Sequence, residues 1–143
     1  MVNPLDHTLD FAVQLLKKNG IRPSMQRVRI LHYLHQVGGH PTVDDIYRAL
    51  APLIPTLSRV TVYNTLDALV TAKLVRVVEI DDAQKRYDVT LDSHGHFLCE
   101  GCGMIFNFTV DVEAVAAEGL GGFQVLHKNV YFKGKCPNCR IGS

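Results

Sequence analysis

The chain has 143 residues, of which 47% are apolar, and a net charge of +1 at pH 7. That composition can fill a core and argues against disorder, and the length makes one ordinary domain or two small ones. No apolar run approaches the roughly 18 residues that suggest a membrane span, so no membrane partner is expected.

The charge is unevenly placed. Residues 1–80 carry nine Lys/Arg and six Asp/Glu, a net +3, and residues 81–143 carry six and eight, a net −2. The front half is therefore the better match for a polyanion.

Leu5, Leu9, Ala12, Val13 and Leu16 form a helical stripe over Leu5–Lys18, which Asn19-Gly20 ends. Ser24 can cap a second helix with Met25, Val28, Leu31 and Leu34 inward, stopped by Gly38-Gly39. Arg22, Gln26, Arg27 and Arg29 at its start are either a solvated face or, for Arg27, a phosphate contact. His40 precedes a proline and is either loop polarity or a ligand. Thr42 caps a short third helix whose first turn carries Asp44 and Asp45, where the helix dipole favours negative charge.

Ser58 caps a fourth helix, from Arg59 to about Ala72, with Val62, Leu66 and Leu69 on one face. Arg59, Tyr63 and Asp67 make a second stripe, flanked by Thr61 and Asn64. Arg59, Thr61, Tyr63 and Asn64 can read base edges and thymine methyls. Leu74–Ile80 alternates like a strand, Asp81-Asp82-Ala83 turns, and Gln84–Val89 returns. Helices followed by such a hairpin make a winged helix-turn-helix, whose last helix enters the major groove. The same architecture also serves protein contacts.

Beyond Asp88 the spacing predicts strands at His94–Leu98 and Met104–Phe108, a short helix at Asp111–Glu118, and a longer strand at Phe123–Lys133. The fold class is α+β: an N-terminal winged helix-turn-helix and a small C-terminal α/β unit. About 50 residues hold too little core to be secure alone, and exposed strands invite a second copy.

The chain's four cysteines form two CxxC pairs, Cys99/Cys102 and Cys136/Cys139. Each pair can reach one tetrahedral ion at a Zn–S distance of about 2.3 Å. Redox pairs and disulfides are the alternatives. Two pairs together fit zinc better, and Met1–Asp10 has no signal-peptide pattern, so a reducing cytoplasm is expected. A closed four-thiolate zinc would staple the C-terminal unit. His94 and His96 alternate on a strand and can share a ligand, although surface histidines are common. A zinc hydrolase is not expected: there is no HExxH, no general base beside the histidines, and a four-thiolate zinc cannot activate water. A zinc-stapled protein-interaction module is a third possibility.

In order and spacing, several motifs resemble the ferric uptake regulator (Fur) superfamily over nearly the whole chain. These are Arg22-Pro-Ser-Met-Gln-Arg27, His40-Pro-Thr-Val-Asp-Asp-Ile-Tyr47, Ser58-Arg-Val-Thr-Val-Tyr-Asn-Thr-Leu66, Arg86-Tyr-Asp88, His94-Gly-His96 and the two CxxC pairs. The resemblance implies a metal-dependent, homodimeric repressor that binds a palindromic operator in double-stranded DNA. It implies a winged helix over residues 1–88, a hinge at 89–93 and a dimerisation domain at 94–143. It also assigns His40, Asp88, His94 and His96 to a regulatory Fe²⁺ or Mn²⁺ between the domains, beside the structural Zn²⁺ of the cysteines. A metal ligated from both sides of a hinge would favour one domain arrangement and so couple metal to DNA.

Asp88 and Asn64 look most like the peroxide-responsive PerR branch, in which hydrogen peroxide oxidises a histidine ligand. One position departs from that branch: Asn107 stands where it carries an aspartate as fifth ligand. An amide oxygen can ligate but brings no charge, so weaker divalent binding, or recruitment of another carboxylate such as Asp92, is expected. The alternative is an iron- or manganese-responsive repressor without peroxide sensing.

Overall fold

The computed structural model describes residues 4–81, 84–89, 94–126 and 128–141. The turn residues Asp82 and Ala83, residues 90–93 of the expected hinge (Asp92 among them) and the side chain of Leu5 lie outside the described residues. The chain divides into two compact units, Met1–Leu91 and Asp92–Ser143.

The first unit runs α1 (Pro4–Lys18), α2 (Met25–Val37), α3 (Val43–Leu50), α4 (Arg59–Thr71), β1 (Arg76–Val78) and β2 (Arg86–Asp88). The expected caps are present. Ser24, Thr42 and Ser58 accept from the backbone N–H groups of Arg27, Asp45 and Thr61. Thr42 and Asp45 complete a reciprocal capping box. Leu16, Ile30, Leu31, Ile46, Val62, Leu66 and Leu69 share one core and are fully buried. Met25, expected inward, is 65% exposed. It is the first residue of α2, and the buried run of that helix begins only at Val28 and takes in Ile30 and His32.

β1 and β2 pair antiparallel, Arg76 opposite Asp88 and Val78 opposite Arg86. They are shorter than the expected Leu74–Ile80 and Gln84–Val89. Leu74 is used to end α4: its N–H donates to the Leu69 carbonyl at 2.9 Å, and the Lys73 N–H donates to Val70 at 3.0 Å. α1 ends by the same paired pattern, through Ile21 to Leu16 and Gly20 to Lys17. The left-handed residue is Gly20 in one case (φ 71°) and Lys73 in the other (φ 62°).

The second unit contains β3 (His94–Cys99), β4 (Ile105–Thr109), a 3₁₀ turn (Val112–Ala114), β5 (Tyr131–Gly134) and α5 (Pro137–Ile141). The sheet order is β4-β3-β5, with β4 antiparallel and β5 parallel to β3. Two expectations are corrected here. The helix at Asp111–Glu118 is only the 3₁₀ turn, because a short segment with no buried side chain has nothing to offset helix nucleation. The segment expected as a strand at Phe123–Lys133 is, among the described residues, a strand only from Tyr131, which pairs with His96 of β3. Among the described residues of this unit, the only buried apolar side chains are Cys99 and Cys136. The sheet thus lacks a core of its own.

Lys73 holds a conformation that costs an L-residue about 1–2 kcal/mol, part of which glycine gives back as unfolded-state entropy. Lys73→Gly should therefore raise stability by about 0.5–1 kcal/mol, measured by urea unfolding followed by far-UV circular dichroism. The reverse change at the matching site, Gly20→Lys, should lower it by a similar amount.

Candidate functional site

The two CxxC pairs meet at one end of the sheet. Cys99 ends β3, and the turn after it is closed by two backbone bonds, Gly103 N–H to the Cys99 carbonyl at 2.8 Å and Cys99 N–H to the Met104 carbonyl at 2.9 Å. Cys136 follows β5, and α5 starts directly after it, with the Arg140 N–H donating to the Cys136 carbonyl at 2.9 Å. The Glu100 N–H donates to the Gly134 carbonyl at 2.7 Å and locks the two turns together. All four sulfurs lie within 4.8 Å of one another, and Cys102 Sγ is 3.9 Å from Cys136 Sγ. A tetrahedral Zn²⁺ with bonds of about 2.3 Å requires sulfurs about 3.8 Å apart. None of the four is in a disulfide.

The electrostatics agree with a cation at the centre. The backbone N–H groups of Cys136 and Cys102 point at Cys99 Sγ, at 3.3 and 3.4 Å, and bring its thiol down to about 6. Hydrogen bonding to Cys99 and Cys136 pushes the Cys139 thiol up to about 12. Four thiolates this close need a dication among them. Gly101 completes the cradle: a Cβ there would come within 2.9 Å of both Cβ and Sγ of Cys139. The cluster fits a structural zinc.

The histidines and Asp88 form two pairs, one in each unit. In the first, residues 41–42 lie against β2 through an isolated bridge. Thr42 bridges Arg86 antiparallel, and the Tyr87 N–H donates to the Pro41 carbonyl at 2.9 Å. Continuing that register sets His40 opposite Asp88, with Nε2 and Oδ2 3.5 Å apart. Pro41 restricts His40 to extended backbone, and the Arg86 guanidinium donates to the His40 carbonyl at 3.1 Å. Sequence reasoning missed this role of Arg86; only the register of residues 40–42 against β2 reveals it. Asp88 is 3% exposed, and a carboxylate buried so deeply requires a cationic or donor partner.

In the second unit, His94 and His96 point from the same face of β3, their Nε2 atoms 3.1 Å apart. Two imidazoles on one metal at about 2.1 Å, at right angles, place their nitrogens about 3 Å apart. Both rings are buried. Asn107 stands opposite His96 on β4, and its side chain is exposed.

The expected DNA-contacting residues separate into two groups. Tyr63 and Asn64 are exposed on α4. Arg59 and Thr61 have partners within the unit. Arg59 donates to Asp44 at 2.7 Å and lies 4.2 Å above the Tyr47 ring, and the Thr61 hydroxyl is 3.0 Å from Ser58 Oγ. Arg27 is half-buried and donates to the Arg22 carbonyl at 2.7 Å.

Two variants test the cysteine centre. Cys136→Ser should lose the zinc and, on the order of several kcal/mol, the folding energy of the second unit, read as metal content by atomic emission. Gly101→Ala should keep all four thiols yet surrender zinc faster to a competing chelator, because Cys139 Sγ cannot retreat while bound. Unchanged zinc content in Cys136→Ser would show that the cluster is not the zinc site.

Comparison with known proteins follows the same lines. Residues 18–133 match the ferric uptake regulator family. The chain is 39% identical to the peroxide operon regulator of Bacillus subtilis (strain 168), covering 93% of this chain and 94% of that one. It is 34% identical to the peroxide-responsive repressor PerR of Staphylococcus epidermidis, covering 95% and 93%. Among solved structures it is similar to PerR from Streptococcus pyogenes, with TM-score 0.53, 35% identity, and coverage of 92% of each chain. It shares its fold with the Helicobacter pylori ferric uptake regulator, with TM-score 0.71, 22% identity, and coverage of 96% and 95%. The chain belongs to the ferric uptake regulator family.

Proposed function

We propose that this protein is a metal-dependent, DNA-binding transcriptional repressor of the PerR type that senses peroxide through its regulatory metal. It carries a structural Zn²⁺ on Cys99, Cys102, Cys136 and Cys139. A regulatory Fe²⁺ or Mn²⁺ is held by His40 and Asp88 from the first unit and by His94 and His96 from the second, with the Asn107 amide as a neutral fifth donor. The observation that carries this reading is the 3.1 Å separation of the His94 and His96 nitrogens, the spacing of two ligands on one ion. The relatives named as peroxide-responsive repressors support it.

The division at residues 91 and 92 supports a winged-helix domain over residues 1–88, a hinge at 89–93 and a dimerisation domain over 94–143. The homodimer presents two copies of α4 to a palindromic operator, where Tyr63 and Asn64 read bases and Arg27, Arg59 and Thr61 support the contact. The family is one of regulators, and the chain is assigned no catalytic turnover. No helix among the described residues is long and apolar enough to cross a membrane, and the proposed place of action is the cytoplasm.

An Fe²⁺ held by these residues would supply electrons for peroxide reduction, and His40 and His94 are the side chains that would take up one oxygen atom at a ring carbon, the other oxygen leaving as water. An oxidised imidazole is a poor ligand, so the ligand set that spans the hinge is lost and the DNA-binding arrangement with it. Asn107 favours one second reading, an iron- or manganese-responsive repressor without peroxide sensing. A neutral donor leaves the site around M²⁺ at +1, because Asp88 is then its only carboxylate.

Operator duplexes selected from a random pool should bind only with metal present, with an affinity that falls steeply with salt. Tyr63→Ala and Asn64→Ala should each cost roughly 1–3 kcal/mol at particular base pairs. After brief peroxide exposure, the Fe²⁺ form should show one added oxygen on the His40 or His94 peptide, by mass spectrometry, and should release DNA. The Mn²⁺ form should do neither. Unmodified histidine peptides with DNA binding intact would select the second reading.

A further inference from the structure

Asp44, in the first turn of α3, sits between two arginines. Its Oδ1 accepts from the Arg59 guanidinium at 2.7 Å and its Oδ2 from Arg48 Nε at 2.8 Å. All three side chains are open to solvent. Arg59 opens α4, one turn before Tyr63, and its guanidinium is held over the Tyr47 ring. A cleft of about 460 Å³ between α3, α4 and the hairpin is lined by Asp44, Arg59, Tyr63, Asp67, Gln84 and Lys85. The hydrogen bond from Arg59 holds the Asp44 carboxyl below the usual carboxylate range, so it stays anionic at neutral pH. The N-terminus of α3 does not need this charge, because Thr42 and Asp45 already form its capping box.

We propose that Asp44 is a specificity-determining residue: it occupies Arg48 and Arg59 in the absence of operator and so limits the attraction of this face for unrelated duplexes. The inference rests on the reading of α4 as the DNA-binding helix. Attraction between arginines and phosphates is independent of sequence, so free cations beside the reading helix would tighten binding to every duplex alike. A carboxylate with one oxygen on each arginine lowers that common term. Exposed ion pairs are weak, so the contacts open easily where Tyr63 and Asn64 also find their bases. Weakening the wrong partner is as effective for selectivity as strengthening the right one.

The test uses the full-length, zinc-loaded protein with Mn²⁺, titrated against a duplex of random sequence at several KCl concentrations. Asp44→Asn should bind that duplex about two- to tenfold more tightly, with a log K against log salt slope steeper by about one to two. Asp44→Ser serves as a second neutral variant that can still cap a helix turn, and the thermal melt of each variant reports its folding. The same Asp44 change made in an Arg48→Gln, Arg59→Gln background should give no gain. An unchanged slope in both neutral variants would overturn the proposal. So would a gain that persists without the arginines, since it would then come from simple repulsion by the carboxylate. A parent protein that binds no duplex under any metal condition would defeat the reading of α4 itself, and this inference with it.

Discussion

The second unit depends on four sulfurs converging on one point. Among the described residues its sheet has three strands, and within one chain its large apolar side chains are at best half-buried, so burial inside the unit itself contributes little to holding it. Cys99 ends β3 and Cys102 lies in the turn after it, while Cys136 follows β5 and Cys139 is in α5. Joining them fixes the parallel pairing of those strands, which is otherwise the less favourable kind and cannot be secured by a tight turn. His96 of β3 lies beside Tyr131 of β5, ring centroids 5.9 Å apart, so that pairing also helps to position its ring, whose Nε2 is 3.1 Å from that of His94. One metal centre thereby shapes the ligands proposed for another.

The first unit achieves the same pre-arrangement without a metal. A proline that forces extended backbone, a bridge at Thr42, and an arginine reaching back to the His40 carbonyl set His40 opposite Asp88. The helical core beneath is well filled, so β2 rests on a rigid base. Each unit thus presents two of the proposed ligand side chains in fixed geometry. On the proposed reading, the ordering entropy left for the regulatory metal to offset is mainly that of the hinge.

The start of α4 combines capping, ion pairing and surface display within seven residues. Ser58 caps the helix, Arg59 is tied to Asp44 and Tyr47, Thr61 supports the cap, and Tyr63 and Asn64 remain exposed. Residues that are polar and closely spaced in sequence therefore differ in what they are able to do.

The sequence alone determined α1 to α4, the caps of α2 to α4, the two CxxC pairs and the alternation of His94 and His96, because each follows from local spacing or from a residue next to a helix end. It also carried the family, since those motifs stand in a distinctive order. It misplaced Met25, the helix at Asp111–Glu118 and the long strand at Phe123–Lys133. Periodicity records which face could be buried, and burial or pairing partners come from elsewhere in the chain. Only the tertiary structure set His40 across from Asp88, placed Arg86 behind it, brought two distant thiol pairs within 4.8 Å and bound Arg59 to Asp44. These contacts join residues 15 to 48 positions apart, and strand register and helix packing, which fix them, are properties of the folded chain rather than of any short stretch of it.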